Sequence, residues 1–172
     1  MNLSYKVCAE EDLQALAEIS IKTFISAFEN QNNSEDFKTY INKAFSKEQL
    51  KKELLHPNVD FYFVYSEKTL VGYFKLNEKE AQTEPLGNAS VEIERIYVLE
   101  EFQGRQIGQQ MLFKIIEIAK QELVSFIWLG VWEMNTAAIR FYERHGFVKF
   151  DTHPYYIGND KQTDWLMRLD LV

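Results

Sequence analysis

The apolar segment FIWLGV, residues 126–131, constrains the possible folds of this chain more than any other stretch. Nearly every side chain in it is apolar, and it lacks the polar–apolar alternation that marks a strand with one solvated face. A strand of this kind is covered on both faces, which is typical of an interior position in a sheet flanked by helices. The segment therefore predicts a central strand of an α/β sheet.

The stretch before this strand has the periodicity of a strand and then of a helix. Residues 89–98, ASVEIERIYV, alternate as a strand, and residues 107–121 place their apolar side chains on one helical stripe. A helix between two strands can carry the chain back across a sheet, which makes the two strands parallel neighbours. We therefore predict a strand–helix–strand crossover that ends at residue 131.

The remaining pattern predicts one mixed domain over residues 1–172, a length that suffices for one sizeable core and is short for two. Further strands are predicted at 4–8, 60–66, 69–77, 147–150 and 163–171, and further helices at 10–28, 37–45, 46–54 and 135–146. Ser34 and Ser46 are suited to cap the second and third helices, because a serine hydroxyl can accept a hydrogen bond from a free amide there. The predicted fold class is α/β (α+β), with a mixed central sheet of about seven strands and helices on both faces.

The charge and cysteine content argue against several classes of function. Lysine and arginine number 19 against 26 aspartates and glutamates, a net charge of −7, whereas a nucleic-acid-binding protein usually carries a basic patch. An acidic surface favours a cationic ligand, although many soluble proteins are acidic for solubility alone. Cys8 is the only cysteine, and the three histidines show no ligand spacing, so we predict no metal site. The N-terminus lacks a signal-like apolar core and no apolar run approaches a membrane span, which predicts a cytoplasmic protein without membrane contact.

The stretch EFQGRQIGQQM, residues 101–111, places Gly104 and Gly108 in a short loop that runs into a helix. Glycine lets a backbone approach a ligand closely, and the free amides and partial positive charge of a helix N-terminus attract anions. With the charge of Arg105 beside them, these features predict a phosphate site. The alternative is structural: Gly104 forms the turn and Gly108 lets the helix pack close to the sheet. Two better-known phosphate loops are excluded, because glutamines rather than a lysine follow Gly108 and no G-x-G-x-x-G occurs.

Several segments in combination resemble the GCN5-related N-acetyltransferase (GNAT) superfamily: IYVLEEFQGRQIG, an amphipathic helix, an apolar strand and then MNTAAIRFYERHGF. The superfamily motif is Q/R-x-x-G-x-G/A, and Gln103 matches its first position and Gly108 its last. Gln106 stands where the superfamily has a glycine, and its backbone amide can still face a diphosphate where the local φ suits a residue with a Cβ. VEIERIYV, FIWLGVWEMN, AIRFYERHGF and ISAFENQN extend the resemblance over nearly the whole chain, to the PaiA-type spermidine/spermine N-acetyltransferases.

The resemblance implies a single GNAT domain that binds acetyl-CoA between two diverging strands, 89–98 and 126–131. The pantetheine arm is expected against the backbone of the first strand at Ile96, Tyr97 and Val98, as a strand added to a free edge. The diphosphate is expected on the backbone amides of Gln103, Gly104, Arg105, Gln106, Ile107 and Gly108. Asn135 is expected to contact the coenzyme, and it also fits the N-cap of the following helix. The implied co-substrate is acetyl-CoA, released as coenzyme A, and no metal is implied.

The resemblance also implies the chemistry, in which a neutral amine attacks the thioester. Glu92 and Glu94 lie two apart on one strand and so share a face. They are the expected bases, acting through water, with Glu92 at the superfamily's usual glutamate position; the alternative is a solvated strand face. Tyr142 aligns with the general acid for the leaving thiolate, a transfer that is uphill by about 2 kcal/mol unless it is coupled to C–S cleavage. The alternative for Tyr142 is an aromatic residue in the core.

The expected substrate is a polyamine such as spermidine or spermine, whose charges along an apolar chain suit carboxylates and aromatic rings. Trp132 and Glu133 at a strand end and Glu29 between the first two helices are the expected contacts, with Glu35 and Asp36 as further members. The alternatives are another amine (a peptide N-terminus, an amino acid or a drug), a non-catalytic acyl-CoA-binding module, or a structural protein. We expect a small-molecule amine as partner, no nucleic acid, and a monomer or homodimer.

Overall fold

The computed structural model describes residues 2–171, in which helices and strands follow the predicted order. The strands are β1 (Leu3–Val7), β2 (Val59–Ser66), β3 (Thr69–Glu78), β4 (Ser90–Val98), β5 (Phe126–Trp132), β6 (Val148–Ile157) and β7 (Asp160–Asp170). The α-helices are α1 (Leu13–Phe28), α2 (Ser34–Ala44), α3 (Lys47–Leu54), α4 (Ile107–Gln121) and α5 (Thr136–Arg144). Short 3-10 turns occupy Glu10–Asp12, Glu29–Gln31, Lys79–Ala81 and Glu100–Phe102.

The strands form one sheet of seven, in the order β1-β2-β3-β4-β5-β7-β6. Every neighbouring pair is antiparallel except β4 and β5, which are parallel. The parallel pair is the one that α4 connects, so the predicted crossover and the mixed sheet are confirmed.

Two apolar cores lie on opposite faces of this sheet. The core under α4 and α5 includes Val91, Met111, Ile115, Ile127 and Leu129. The core under α1, α2 and α3 includes Leu16, Phe37, Leu50, Phe61 and Phe63. Burial of one such side chain stabilises the fold by about 1.5–3 kcal/mol. Trp128, between Ile127 and Leu129 on β5, is also fully buried, which confirms a strand covered on both faces.

Of the two N-cap residues predicted for α2 and α3, one is confirmed and one is wrong. Ser46 Oγ accepts a hydrogen bond from the Gln49 amide at 3.2 Å and so caps α3 as predicted. The prediction that Ser34 caps α2 is wrong, because Asn33 Oδ1 accepts from the amides of Glu35 and Asp36. Asn33 has the extended backbone of an N-cap, whereas Ser34 is already the first helical residue.

The last hairpin is longer than the sequence predicts. β6 continues to Ile157, beyond the predicted end at residue 150, and β7 begins at Asp160 rather than at residue 163. β6 is the edge strand, most of its side chains are exposed, and Pro154 lies within it, so no apolar alternation marks it as a strand. The extension sets the register that places His153 opposite Asp164.

No helix within residues 2–171 is long and apolar enough to cross a membrane.

Candidate active site

The parallel strands β4 and β5 separate after a short ladder. Their pairing covers Ser90–Glu92 with Phe126–Trp128 and then ends. Beyond it β4 is paired with β3, and β5 is paired with β7. The second half of each strand therefore has one edge without a strand partner, and these edges face each other, as the expected divergence requires.

A cleft of about 880 Å³ occupies this gap. Its walls are the ends of β4 and β5, the loop before α4, one side each of α1 and α5, and part of the hairpin of β6 and β7. It brings together most of the residues expected to bind the coenzyme: Ile96, Tyr97, Val98, Gln103, Gly104, Gln106, Ile107, Gly108 and Asn135.

The free edge of β4 presents main-chain groups to the cleft. The Leu99 amide donates to Val71 O of β3 at 2.9 Å. The Tyr97 carbonyl also faces β3, since it lies 2.5 Å from the position that a Cβ on Gly72 would take. Successive residues of a strand turn their main-chain groups to opposite edges. The groups of Ile96 and Val98 therefore face the cleft, where an extended polar chain can pair with them. The Val98 carbonyl already accepts one hydrogen bond, from Gln103 Nε2 at 3.1 Å.

The loop before α4 has a left-handed backbone at two positions. Gly104 has a φ of +73° and Gln106 a φ of +61°. The φ of Gln106 therefore does not suit a residue with a Cβ. This φ favours glycine, and another residue is strained there by about 1 kcal/mol. Intrahelical bonding starts with the Gln110 amide, which donates to Gln106 O at 3.1 Å, and no side chain in the described part of the chain caps α4. The amides before Gln110 in the first turn thus have no helical acceptor.

Open space surrounds the α carbon of Gly108. A Cβ built there would have no heavy atom within 4 Å outside its own stretch of helix. The structural alternative, in which Gly108 allows close packing of α4 on the sheet, is therefore wrong. Arg105 lies outside the cleft, where its Nη2 donates to Glu101 O at 3.1 Å and its guanidinium lies over the Phe102 ring.

Tyr142 on α5 lines the cleft opposite the β4 edge. Its ring is buried against Phe141 and Phe147, so the core alternative holds for the ring. Its hydroxyl has no hydrogen-bond partner within residues 2–171. Burial raises the pKa of Tyr142, which keeps the hydroxyl protonated and able to donate to a group in the cleft.

Glu92 is buried under the loop that follows β3. It accepts hydrogen bonds from the Thr83 amide at 2.8 Å, from Thr83 Oγ1 at 2.5 Å and from Asn77 Nδ2 at 3.1 Å. Burial raises the pKa of Glu92, against the lowering effect of the Thr83 hydrogen bonds. A solvated strand face is therefore excluded for this residue.

Glu94 belongs to a partly buried network of charges on the same face of β4. It pairs with Lys75, and its second oxygen lies 3.6 Å from Arg95 Nη2. Lys75 also pairs with Glu53 at 2.9 Å. Burial acts to raise the pKa of Glu94, but Arg95 and Lys75 outweigh it, and the pKa is lowered. Glu94 is therefore held ionised.

A smaller side cavity of about 140 Å³ adjoins the cleft and is lined by Glu92, Glu94 and a third carboxylate, Asp164. Asp164 also lines the main cleft. Burial raises the pKa of Asp164 to about 6, against a smaller lowering effect of His153. Asp164 was not predicted as a site residue from the sequence; its one signal is an acidic residue on the same strand face as buried Leu166.

Residues 14–147 match the profile of the acetyltransferase (GNAT) family. The chain belongs to this family. The resemblance stated from the sequence is thus confirmed, as are the enzyme class and the fold class that it implied.

Relatives and solved structures agree with this GNAT acetyltransferase assignment. An uncharacterized N-acetyltransferase in the pepI 3′ region of Lactobacillus delbrueckii subsp. lactis is 36% identical over 164 residues, 95% of each chain. A spermidine N(1)-acetyltransferase of Thermoplasma acidophilum is 25% identical over 88% of this chain and 92% of its own. The crystal structure of a PaiA N-acetyltransferase from Thermoplasma acidophilum, in complex with coenzyme A, has the same fold, with a TM-score of 0.79, 21% identity and 99% coverage of each chain.

The residues expected to bind the substrate of this GNAT acetyltransferase are only partly brought together. Trp132 lines the cleft, whereas Glu29, Glu133 and Glu35 are exposed and lie outside its lining. Asp36 packs against the turn between β6 and β7, since a Cβ on Gly158 would lie 2.8 Å from it. The α1 wall of the cleft was not predicted from the sequence; it consists of Thr23, Phe24, Ala27 and Phe28.

Proposed function

We propose that this N-acetyltransferase binds acetyl-CoA in the cleft between β4 and β5 and acetylates a primary amine of a polyamine such as spermidine or spermine. The observation that carries the proposal is the cleft itself: a free strand edge, an uncapped helix start and a buried tyrosine line one continuous space. The Thermoplasma acidophilum structure in complex with coenzyme A supports the choice of co-substrate.

The residues of the cleft fit the parts of acetyl-CoA. The main chain of Ile96 and Val98 would hold the pantetheine arm by strand addition. The expected main-chain contact of Tyr97 is not available, because its carbonyl faces β3. The amides of residues 103–108 would hold the diphosphate, as helix starts commonly do. The open space at Gly108 leaves room for the close approach of a phosphate. Asn135 caps α5 through its bond from the Ala138 amide at 3.2 Å and still lines the cleft, so it can serve both roles.

Acetyl-CoA supplies an activated acetyl thioester, and the residues of the chain would manage charge and protons around it. A main-chain amide at the β4 edge can stabilise the negative charge that develops on the acetyl oxygen. The attack forms a C–N bond and breaks a C–S bond. The nitrogen loses two protons relative to the ammonium ion and the sulfur gains one, so one proton reaches solvent in each turnover.

Tyr142 is the proposed donor to the leaving sulfur. Because burial raises the pKa of Tyr142, full transfer to a free thiolate is less favourable than between ordinary values. The hydroxyl would therefore donate a hydrogen bond and give up its proton only as the C–S bond breaks. Glu92 and Glu94 remain the proposed carboxylates on the amine side, with Glu94 better suited to attract an ammonium group than to take its proton.

The amine side of the cleft suits a flexible polycation. Asp164 and Glu94 lie among the rings of Phe24, Tyr97 and Tyr155, a combination that binds alkylammonium groups. Exposed Glu29 and Glu133 would attract the distal charges of the substrate. Relatives named spermidine N(1)-acetyltransferase and, from Bacillus subtilis, spermine/spermidine N(1)-acetyltransferase support this class of substrate.

A thiol-release assay with a panel of amines tests the substrate. We expect spermidine and spermine to have a higher kcat/KM than a peptide with a free N-terminus or a free amino acid. A peptide that is acetylated at least as well as spermidine would replace the polyamine assignment with the N-terminal one. A thermal-shift measurement with acetyl-CoA tests the co-substrate separately, because a ligand that binds the native state raises the melting temperature.

A further inference from the structure

The side chains of Glu84, His153 and Asp164 form a line from the surface of the protein to the cleft. His153 on β6 lies opposite Asp164 on β7, and Asp164 lies opposite Trp132 on β5. His153 Nδ1 pairs with Glu84 Oε1, and His153 Nε2 lies 3.9 Å from Asp164 Oδ2. The exposed fraction of the side chain falls along the line, from 28% for Glu84 to 24% for His153 and 12% for Asp164. The line thus connects solvent to a buried carboxylate.

The inner end of this line opens into both cavities. Asp164 lines the main cleft and the side cavity. Its Oδ2 lies 3.3 Å from the position that a Cβ on Gly130 would occupy, so the glycine on β5 leaves the carboxylate uncovered towards the gap between β4 and β5. A group bound between these strands can therefore reach Asp164.

Asp164 is also the least engaged of the three carboxylates near the gap. Glu92 accepts three hydrogen bonds, and Glu94 is held by Lys75 and Arg95. Within residues 2–171 no side chain or amide donates a hydrogen bond to the carboxylate of Asp164. An oxygen without a donor is free to accept a proton, whereas a carboxylate that is already neutralised by cations resists protonation.

We propose that Asp164 accepts a proton from the bound ammonium group of the substrate and passes it to His153, from which it leaves past Glu84. The proposal rests on the proposed acetyltransferase function and specifies how its amine is deprotonated. An N–H bond of the ammonium ion breaks as an O–H bond forms on Asp164, and that proton then moves to His153 Nε2. The imidazolium is stabilised by the Glu84 carboxylate and releases a proton from Nδ1 to solvent. No oxidation or reduction is involved.

The spacing of the line defines how the transfer occurs. A separation of 3.9 Å between His153 Nε2 and Asp164 Oδ2 exceeds a direct hydrogen bond. The proton therefore crosses when the carboxylate rotates towards the imidazole or through one bridging water. Burial raises the pKa of Asp164 and so increases its affinity for a proton.

The other titratable groups around Asp164 are either paired with a group of opposite charge or buried. β4 contributes Arg95, which is paired with Glu94 and Glu53, and the buried Glu92. Burial raises the pKa of the surrounding tyrosines, which keeps them neutral. The tyrosines in the side cavity are Tyr40, Tyr97 and Tyr155. Of the three carboxylates that line the side cavity, Asp164 is thus the one that neither a hydrogen-bond donor nor a lysine or arginine holds, and His153 lies next to it.

Kinetics of three variants test the relay, with the amine of the panel that the wild type acetylates fastest. At pH 7, Asp164→Asn should lower kcat by about 100-fold, the usual size of a general-base effect. The loss should shrink at pH 9.5, because more of the amine is then already neutral. His153→Gln should lower kcat at pH 7 and move the acid limb of the pH profile to higher pH, because the lowering effect of His153 on the pKa of Asp164 is removed. Glu84→Gln should lower kcat at pH 7 by less than His153→Gln, because the imidazolium loses its partner carboxylate but the imidazole remains.

Matched controls separate the relay from damage to the fold. Asp170→Asn removes an exposed carboxylate from the same strand and should leave the pH profile unchanged. Calorimetry with coenzyme A should give wild-type affinity for Asp164→Asn, and Asp164→Glu should recover part of the lost rate. An Asp164→Asn protein within threefold of wild type from pH 6 to 9.5 would overturn the proposal. If His153→Gln has the same pH profile of kcat as the wild type, the path through His153 is overturned.

The results that would overturn the relay differ from those expected if the proposed acetyltransferase function is wrong. A wild type that binds no coenzyme A, or that releases no thiol with any amine, rejects the acetyltransferase proposal and the relay with it. An active wild type with an active Asp164→Asn variant rejects the relay alone.

Discussion

The two sides of the cleft are built from different parts of the chain. On the side of α4, the free edge of β4 and residues 103–108 present main-chain groups to the cleft. On the side of β6 and β7, the groups that can act are side chains: Asp164, His153 and the carboxylates of β4. A site made of backbone depends on φ angles and on space, whereas a site made of side chains depends on pairing and burial. Substitutions on the two sides should therefore change different measured properties of the protein.

The largest expected effect is on stability, in the ion network of the side-chain region. Lys75→Met leaves Glu94 with Arg95 at 3.6 Å as its remaining cationic partner. Loss of one partner from a buried pair lowers the free energy of unfolding by about 3 kcal/mol or more. Urea unfolding should show this loss, and the double variant Lys75→Met with Glu94→Gln should regain much of it. A loss under about 1 kcal/mol would mean that the network contributes little to the fold.

Asp164 should lower the stability of the fold at neutral pH. Its pKa is raised from 3.8 to about 6, so the native state holds a proton that the unfolded chain releases. Its contribution to stability is therefore present below about pH 4 and is lost as the pH rises through about 6. The free energy of unfolding of Asp164→Asn relative to wild type should increase by up to about 3 kcal/mol between pH 4 and pH 7. An equal difference at both pH values would show that Asp164 titrates normally.

Tyr142→Phe should separate chemistry from binding. Loss of the hydroxyl removes the proposed donor to sulfur and should lower kcat by about 100-fold. Coenzyme A affinity should stay within about twofold of wild type, because the diphosphate and pantetheine contacts come from backbone on the other side of the cleft. Phe141→Leu, which changes a neighbouring ring without touching a hydroxyl, serves as the control. Unchanged kcat in Tyr142→Phe would favour a non-catalytic acyl-CoA-binding module.

Gly108→Ala should have opposite effects on folding and on binding. Alanine in a helix is more stable than glycine by about 1 kcal/mol, and the added Cβ meets no protein atom within 4 Å. The same methyl group occupies the space proposed for the phosphate and should weaken acetyl-CoA binding by about 10-fold, or about 1.4 kcal/mol. Thermal unfolding and calorimetry on one preparation measure both. Undiminished affinity would move the diphosphate away from α4.

The smallest effect is expected at Gln106. Its φ of +61° favours glycine, so Gln106→Gly should remove strain and stabilise the protein by up to about 1 kcal/mol. Its backbone amide is kept, and acetyl-CoA affinity should not fall. A destabilised variant would show that the Gln106 side chain makes a contribution larger than the strain.

The same contrast explains how much the sequence could predict. The crossover and the loop at 103–108 follow from local signals, the apolar run in β5 and two glycines before a helix, and the structure confirms the crossover and places the loop on the cleft. The pairing of Lys75 with Glu94 and of His153 with Asp164 depends on the register between strands, which no local pattern specifies. Most of residues 151–156 are exposed, and this segment was not predicted as a strand, so the alignment of His153 with Asp164 could not be foreseen.

Charge and position along the chain also did not predict correctly which side chains line the cleft. Arg105, Glu29 and Glu133 lie outside its lining, although each is next to a residue that lines it. A side chain can point away from a site that its backbone borders, and sequence spacing does not determine this direction outside a regular strand or helix.

Calorimetric titration of acetyl-CoA and of acetyl-pantetheine tests the central claim most directly, because the second ligand lacks the diphosphate together with the adenosine 3′-phosphate that it carries. We predict saturable binding of acetyl-CoA at one site per chain. Acetyl-pantetheine should bind at least about 100-fold more weakly, the loss expected for two charge-assisted hydrogen bonds. Equal affinity for the two ligands, or no saturable heat with acetyl-CoA, would contradict a diphosphate held by the amides at the start of α4.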